Sequence, residues 1–200
     1  MSTFVSKIHT LRWDDHRYYH QCRINQSLHF ISALSFLVAY AWLFIDPAIA
    51  GLIGWLVGMV TRQSGHLFFE PRGFDAIHQL SYEHKESIKA GYNMRRKAVL
   101  ISIWLALPAV LFLRPDRFGL EHTTDLRTLA HRIGLLWLGL GAAGLAFRTI
   151  HLSFLRGPSW GLAWACKILS DPLHNIQSYW RSPIALLRGQ RLDPLLHRAH

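Results

Sequence analysis

The sequence predicts an all-α integral membrane protein, with about four transmembrane helices in antiparallel hairpins plus interfacial amphipathic helices, and three observations lead there. Half of the residues are apolar while 17% are charged. Those apolar residues come in blocks without a formal charge, at 24–45, 47–61, 98–113 and 133–147. They run all round each segment instead of along one stripe, which disfavours the competing reading, a soluble bundle of buried helices. Lys and Arg are also unevenly sorted: residues 1–23, 62–97 and 148–200 carry 4, 7 and 7 of them, against 4 in residues 114–132. The positive-inside rule then places both termini in the cytoplasm.

The 200 residues read as a single membrane domain. Residues 1–23 are polar and aromatic, an interfacial segment with Trp13, Tyr18 and Tyr19 at headgroup depth. The first span, 24–45, is long enough to cross a bilayer unaided; the other three must recruit interfacial residues or thin the bilayer locally, with expected spans at 47–66, 98–113 and 133–150. Between the first two stands Asp46-Pro47, a capping residue followed by the residue favoured at the first helical position, so these spans form a helical hairpin. The segment from Ser81 to Lys97 reads as one charged helix that ends in the basic cluster Arg95, Arg96 and Lys97. Residues 151–200 alternate apolar blocks with isolated Arg, Gly and Pro and are expected as one or two interfacial helices of a cytoplasmic tail.

Charge and cysteine content narrow the function classes. A net charge of +10 is explained by attraction to anionic headgroups, so nucleic acid is not required as a partner. Cys22 and Cys166 have no CxxC spacing, and a disulfide framework is not expected. The N-terminus lacks the pattern of a removable signal peptide, so the first span is expected to stay as an anchor.

Histidine carries the main functional signal. Of 13 histidines, 11 fall on the cytoplasmic side of this topology, with His122 and His131 opposite. Long interfacial loops account for part of that bias; a metal site at one end of a bundle would also gather imidazoles. His16 and His20 are four apart and share a helical face. Asn25 lies one turn before His29 and is expected to orient an imidazole through its ring N–H. After the hairpin, Gly65 permits close approach of a neighbour, while His66 and Glu70 again share a face. Because the two spans are antiparallel, His29 and His66 return to the same depth, and a carboxylate beside imidazoles at a membrane boundary is usually kept for function.

The H-x4-N-x3-H pattern of His20, Asn25 and His29, followed across the hairpin by the G-H-x-x-F-E of Gly65, His66, Phe69 and Glu70, resembles the membrane 2-hydroxy fatty acid dioxygenases of fatty-acid alpha-oxidation. The resemblance covers about residues 19–75. It implies an Fe(II)- and O2-dependent enzyme that shortens a 2-hydroxy long-chain acyl group, or acts on a related lipid, at the membrane interface. His20, His29 and His66 would hold the metal, with His84 or Glu70 as a further ligand, His16 in reserve, and Arg72, Arg95 or Arg96 facing the substrate carboxylate. In this chain Pro71-Arg72-Gly73 follows where that family continues into an Arg-Pro segment.

Two other metal classes fit less well. Di-iron hydroxylases and desaturases use an HxxHH element, and no His-His pair occurs here. A haem b protein would pair His29 with His66 or His151 across facing helices. The competing non-catalytic reading is a transporter subunit or lipid-binding scaffold. The expected partners are the membrane and a lipid or fatty-acyl substrate, with a homo-oligomer allowed, in a bacterial inner membrane or the endoplasmic reticulum.

Overall fold

The computed structural model describes residues 3–193, so the ends of the expected interfacial segment and tail, with His197 and His200, lie outside the described residues. Among these residues the chain is all-helical, with two isolated bridges, Cys22 to Leu192 and Asp75 to Leu80, and no strand. Three helices are long and apolar enough to cross a membrane: α2 (Arg23–Trp42), α6 (Met94–Leu113) and α7 (Leu126–Arg156).

Helix α1 (Phe4–Tyr19) starts at Thr3, whose hydroxyl accepts the Ser6 N–H at 3.2 Å. It leads through His20 into α2, which ends in the turn before Asp46. Asp46 Oδ1 then accepts the N–H groups of Ala48 at 2.9 Å and Ile49 at 3.3 Å, with Pro47 at the first helical position, and starts α3 (Pro47–Ile53).

The second apolar block is one helical run in three pieces. Helix α3 passes into a π-helical turn, Gly54–Met59, and then α4 (Val60–Phe68). The wider π turn sits where two glycines pass the Phe36 ring, Gly54 at one end and Gly58 near the other. Contacts of Gly54 with Phe36 and Ala39, of Gly58 with Phe36, and of Gly65 with Asn25 show this run passing back along α2 in the opposite direction. On its other side α3 meets α7 backbone to backbone: a Cβ on Gly51 would collide with the Gly134 carbonyl, and one on Gly134 with that of Ala48.

The charged stretch after α4 differs from the single helix the sequence suggests. Ser81 caps a short α5 (Tyr82–Ile88), and the chain breaks before Asn93, whose side chain accepts the Arg96 N–H at 3.1 Å and starts α6. The basic cluster Arg95, Arg96 and Lys97 therefore opens α6 instead of closing α5, because Asn93 offers a cap in the middle of the run. A tryptophan ladder ties α6 and α7 to the π turn. Trp55 donates to the Trp137 carbonyl at 2.6 Å, Trp137 donates to the Trp104 carbonyl at 3.1 Å, and the Trp55 and Trp104 rings stack at 5.5 Å.

The stretch expected as a peripheral tail supplies α8 (Pro158–Tyr179), which packs into the bundle against α1, α2 and α7. Its buried face holds Ala163, Trp164, Lys167, Asp171, Asn175 and Tyr179, and Leu11, Leu152, Ala163 and Trp164 form a hydrophobic core cluster. Tertiary packing has recruited a segment whose interruptions looked like surface. A last helix, α9 (Ser182–Leu187), leads to residues 191–193, which bond back to the α1–α2 corner: Arg23 N–H donates to the Arg191 carbonyl at 2.8 Å and Asp193 N–H to that of Gln21 at 3.0 Å. Apolar side chains of α6 and α7 such as Leu105 and Phe147 remain exposed, at 63% and 62%.

Candidate metal centre

The centre is built where α1 ends, α2 begins and α4 finishes. His20 is the C-cap of α1, its N–H bonded to the His16 carbonyl at 3.2 Å. Side chains from the first turns of α2 then hold the corner: Asn25 Nδ2 donates to the Tyr19 carbonyl at 2.7 Å, and Gln26 Nε2 to the His20 carbonyl at 2.8 Å. Both are fully buried, so each bond replaces water that cannot reach these carbonyls.

His29, one turn further along α2, has no exposed surface, and His66 enters from the end of α4. The ring centroids lie 4.1 Å apart for His20 and His29, 4.9 Å for His29 and His66, and 5.3 Å for His20 and His66. One ring nitrogen from each lies within 4.8 Å of the other two. With ion–nitrogen bonds of ~2.1 Å, small rotations about the side-chain bonds bring such a set onto a common centre. Gly65 makes the approach possible: a Cβ there would collide with Asn25 Oδ1, and it would lie in ordinary contact with the His29 ring at 3.5 Å.

Hydrogen bonding leaves lone pairs for a ligand. Both nitrogens of His29 and Nε2 of His20 are buried and have no hydrogen-bond partner. On the outer side, His66 Nδ1 lies 2.7 Å from Glu70 Oε2, and Glu70 Oε1 accepts from Lys89 at 2.8 Å. An ionised carboxylate only accepts, so His66 carries its proton on Nδ1 and its lone pair on Nε2. His20 Nδ1 lies 3.0 Å from the Tyr179 hydroxyl, which also lies 3.2 Å from His16 Nδ1. Tyr179 has one proton to give; if it goes to His16, His20 donates from Nδ1 and presents Nε2 as an acceptor.

Electrostatics favours a neutral imidazole at His20. Burial lowers the proton affinity of His20 well below the usual value, Asp15 opposing and Arg62 and Lys167 reinforcing the effect. Burial also pushes the Tyr179 phenol up, so it stays protonated. Lys89 loses affinity by burial, but Glu70 and then Glu86 outweigh this and hold it above its usual value, a charged partner for Glu70.

The other expected residues take different places. Glu70 stands behind His66 and is occupied by Lys89, so it supports a ligand instead of joining the nitrogen set. His84 is exposed on α5, away from the triad. Asn25 makes no bond to an imidazole; it fastens the corner that aims His20, because its amide meets the Tyr19 carbonyl first. Arg72 and Arg95 are exposed, Arg72 bonding the Leu67 carbonyl at 2.6 Å, and neither faces the cluster. His16 reaches the centre only through Tyr179. His151, one half of the suggested haem pairing, is engaged by Arg148 at 3.0 Å.

Sequence reasoning missed Tyr179 and Lys89. Tyr179 falls in the stretch expected as an interfacial tail, and no local periodicity links it to a histidine 159 positions earlier. Glu86 and Lys89, three apart and 2.9 Å from each other, were a readable pair. A second buried network adjoins His20: Lys167 pairs with Asp15 and with Asp171 at 2.6 Å, and Asp171 meets Arg12 at 3.6 Å and Arg62 at 3.7 Å. A cavity of about 10 Å³, lined also by Tyr179 and Asn175, joins it to His20.

Comparison with family models, curated proteins and solved structures gave no match.

Proposed function

We propose that this chain is a membrane enzyme in which His20, His29 and His66 hold one Fe(II), and that it uses O2 to shorten 2-hydroxy long-chain fatty acids or a related lipid. The observation that carries the reading is a triad of buried imidazoles in which both nitrogens of His29 and Nε2 of His20 lack partners. A buried polar atom without a hydrogen bond costs about 1–3 kcal/mol, so unpartnered nitrogens on two rings packed against a third call for a ligand. Three neutral imidazole donors with Glu70 fixing one of them suit a divalent first-row metal, and three ligands leave open positions. Bound there, such an ion would supply Lewis-acid and redox chemistry toward O2 and a chelating substrate.

The chain's own residues do the rest. Glu70 and Tyr179 hold ring tautomers, Asn25 and Gln26 fix the corner, and Gly65 admits α4 to within contact of His29. Rings only 4.1–5.3 Å apart enclose a space suited to an ion, not to a porphyrin, which weighs against the haem alternative.

In this reading α2, the α3–α4 run, α6 and α7 are the four spans, with both termini cytoplasmic. The triad then lies at the cytoplasmic boundary, at the opposite end of α2 from Asp46, which meets His131 of α7 at 3.6 Å. An acyl tail would run along the apolar helices while its polar head reached the imidazoles. Metal analysis of detergent-purified protein should give about one iron per chain; incubation with a 2-hydroxy long-chain acid and O2 should give the acid one carbon shorter. Protein free of transition metal would return the chain to the transporter-subunit or scaffold class, while bound metal with an unchanged acid would discard the reaction alone.

A further inference from the structure

We propose that the cleft between the start of α2 and α9 binds the phosphate of an anionic membrane phospholipid. This site goes beyond the function proposed above, because none of the residues lining it belongs to the histidine triad.

The cleft has a volume of about 370 Å³ and gathers three arginines, Arg23, Arg181 and Arg188, beside Gln190, while no carboxylate lines it among the described residues. Arg23 is the first residue of α2, a helix long and apolar enough to cross a membrane, so the cleft adjoins the end of a candidate span. The Arg23 guanidinium is held in place: it donates to Gln26 Oε1 at 2.8 Å and Ser182 Oγ at 3.2 Å and meets Asp193 at 3.2 Å. Arg181 lies over the Trp180 ring at 4.7 Å. Arg188 and Gln190 flank Gly189, whose φ of 81° turns the chain at the end of α9, and their N–H groups bond the Ile184 and Ala185 carbonyls at 3.2 and 3.0 Å. The backbone therefore sets these positions before any ligand arrives.

Other arginines of this chain answer to carboxylates: Arg12 and Arg62 meet Asp171, and Arg114 and Arg117 meet Asp116. Arg181 and Arg188 have no ion pair among the described residues, and the acid that meets Arg23, Asp193, is not part of the lining. Like charges gathered on one concavity repel each other. An anion with several oxygens removes that repulsion by accepting from more than one planar guanidinium, and phosphate has this geometry. The volume lies near the lower end of the ~300–1,000 Å³ of ligand sites, which suits a headgroup better than acyl chains. Trp180 and Ile184 complete the lining, 48% and 46% exposed, an amphipathic ring and an apolar side chain of the kind found where headgroups meet hydrocarbon. A basic pocket at the end of a span is a place where anionic lipid headgroups bind. A soluble phosphate ester shares the head chemistry, but it makes no use of the apolar lining or of the adjoining span.

The test is native mass spectrometry of the full chain in an uncharged detergent, titrated with phosphatidylglycerol, phosphatidylcholine or glycerol 1-phosphate. Wild type should bind one phosphatidylglycerol about tenfold or more tighter than phosphatidylcholine, whose choline cation the arginines repel. The double variant Arg181→Gln, Arg188→Gln should bring phosphatidylglycerol close to the level of phosphatidylcholine. Both residues are exposed, so the fold should survive, as judged by elution profile and helical circular dichroism. Arg114→Gln with Arg117→Gln removes the same charge from exposed arginines beside Asp116 and should leave the preference as it was. Glycerol 1-phosphate should displace the lipid only at far higher concentration. The assignment is overturned by a wild type that does not distinguish the two lipids, by a preference that survives loss of Arg181 and Arg188, or by an equal loss in the Arg114 and Arg117 variant, which would mark bulk charge. Competition by glycerol 1-phosphate as strong as that of the lipid would overturn the lipid as occupant. Metal content enters none of these readings, so failure here and failure of the proposed function are distinguishable.

Discussion

Two buried polar clusters share the same corner of the molecule and differ in one respect. Around Asp171 the charges answer each other: Lys167 with Asp15 and Asp171, and Asp171 with Arg12 and Arg62. A few ångströms away, His20, His29 and His66 meet ring to ring, and three of their nitrogens have no partner. The first cluster is joined by ion pairs that fasten α1, α4 and α8 together, although Asp171 Oδ1 and Arg12 Nε take part in no hydrogen bond. The second is incomplete, and its outer supports, Glu70 and Tyr179, fix the rings without filling the space between them. Charges that answer each other read as structure, and imidazoles that meet without a partner between them read as a binding site.

The sharpest way to break this contrast is to exchange the behaviours. Lys167→Met leaves Asp15 and Asp171 without their shared cation and should cost about 3–5 kcal/mol, the usual penalty for orphaning a buried charge. It should appear as a large fall in apparent Tm, with metal binding by the remaining folded protein intact. His29→Leu should do the reverse. Metal affinity should fall roughly 10³-fold, since one of three bonds is lost from a total of about 10–16 kcal/mol, while the metal-free protein melts no lower than wild type, because the ring removed had no hydrogen bond to lose. If His29→Leu instead destabilised metal-free protein as much as Lys167→Met, the triad would be structural and the contrast would collapse.

Glu70→Gln probes the support and should weaken metal binding about 10- to 100-fold, the range typical of partners that orient a ligand, measured by competition with a chelator. The smallest effect is in the pH response of the ion-paired cluster. Partial burial raises the Asp15 carboxyl, but Lys167 foremost holds it at about 2, below the ordinary 3.8. Its folded-state value is depressed, so its contribution is complete above the ordinary value and fades as pH falls through about 2. Lys167 is held above its usual 10.5 by Asp15 and Asp171 against the effect of burial, so its contribution is lost only as pH rises past that raised value. The Tm deficit of Asp15→Asn relative to wild type should therefore be constant from mildly acidic to mildly basic pH and shrink on acidification. A deficit that grew in acid would show that Lys167 does not stabilise the carboxylate.

Much of the helical architecture was legible because its signals are local. Asp46-Pro47 marks a helix start wherever it occurs, and uncharged runs at 24–45 and 98–113 leave little choice but α2 and α6. Where local signals competed, reading by composition failed. Asn93 inside a charged run proved a stronger start than the basic cluster was a stop, and the Gly- and Pro-broken segment after α7 folded into α8 because buried partners on α1 and α2 were waiting for it. The second apolar block also concealed its π turn, which reflects packing of Gly54 and Gly58 on Phe36.

By itself the sequence determined that apolar helices dominate this chain, because capping and periodicity act over one or two turns, while the grouping of His20, His29 and His66 came from a motif resemblance that spans the hairpin. Only the tertiary structure decided which groups stand behind them. Tyr179 arrives from α8 and Lys89 from the segment after α5, and Glu70 turned from a candidate ligand into a support because Lys89 reached it. Those outcomes depend on which buried charges find partners, and that is settled only when distant helices exclude water from a common space.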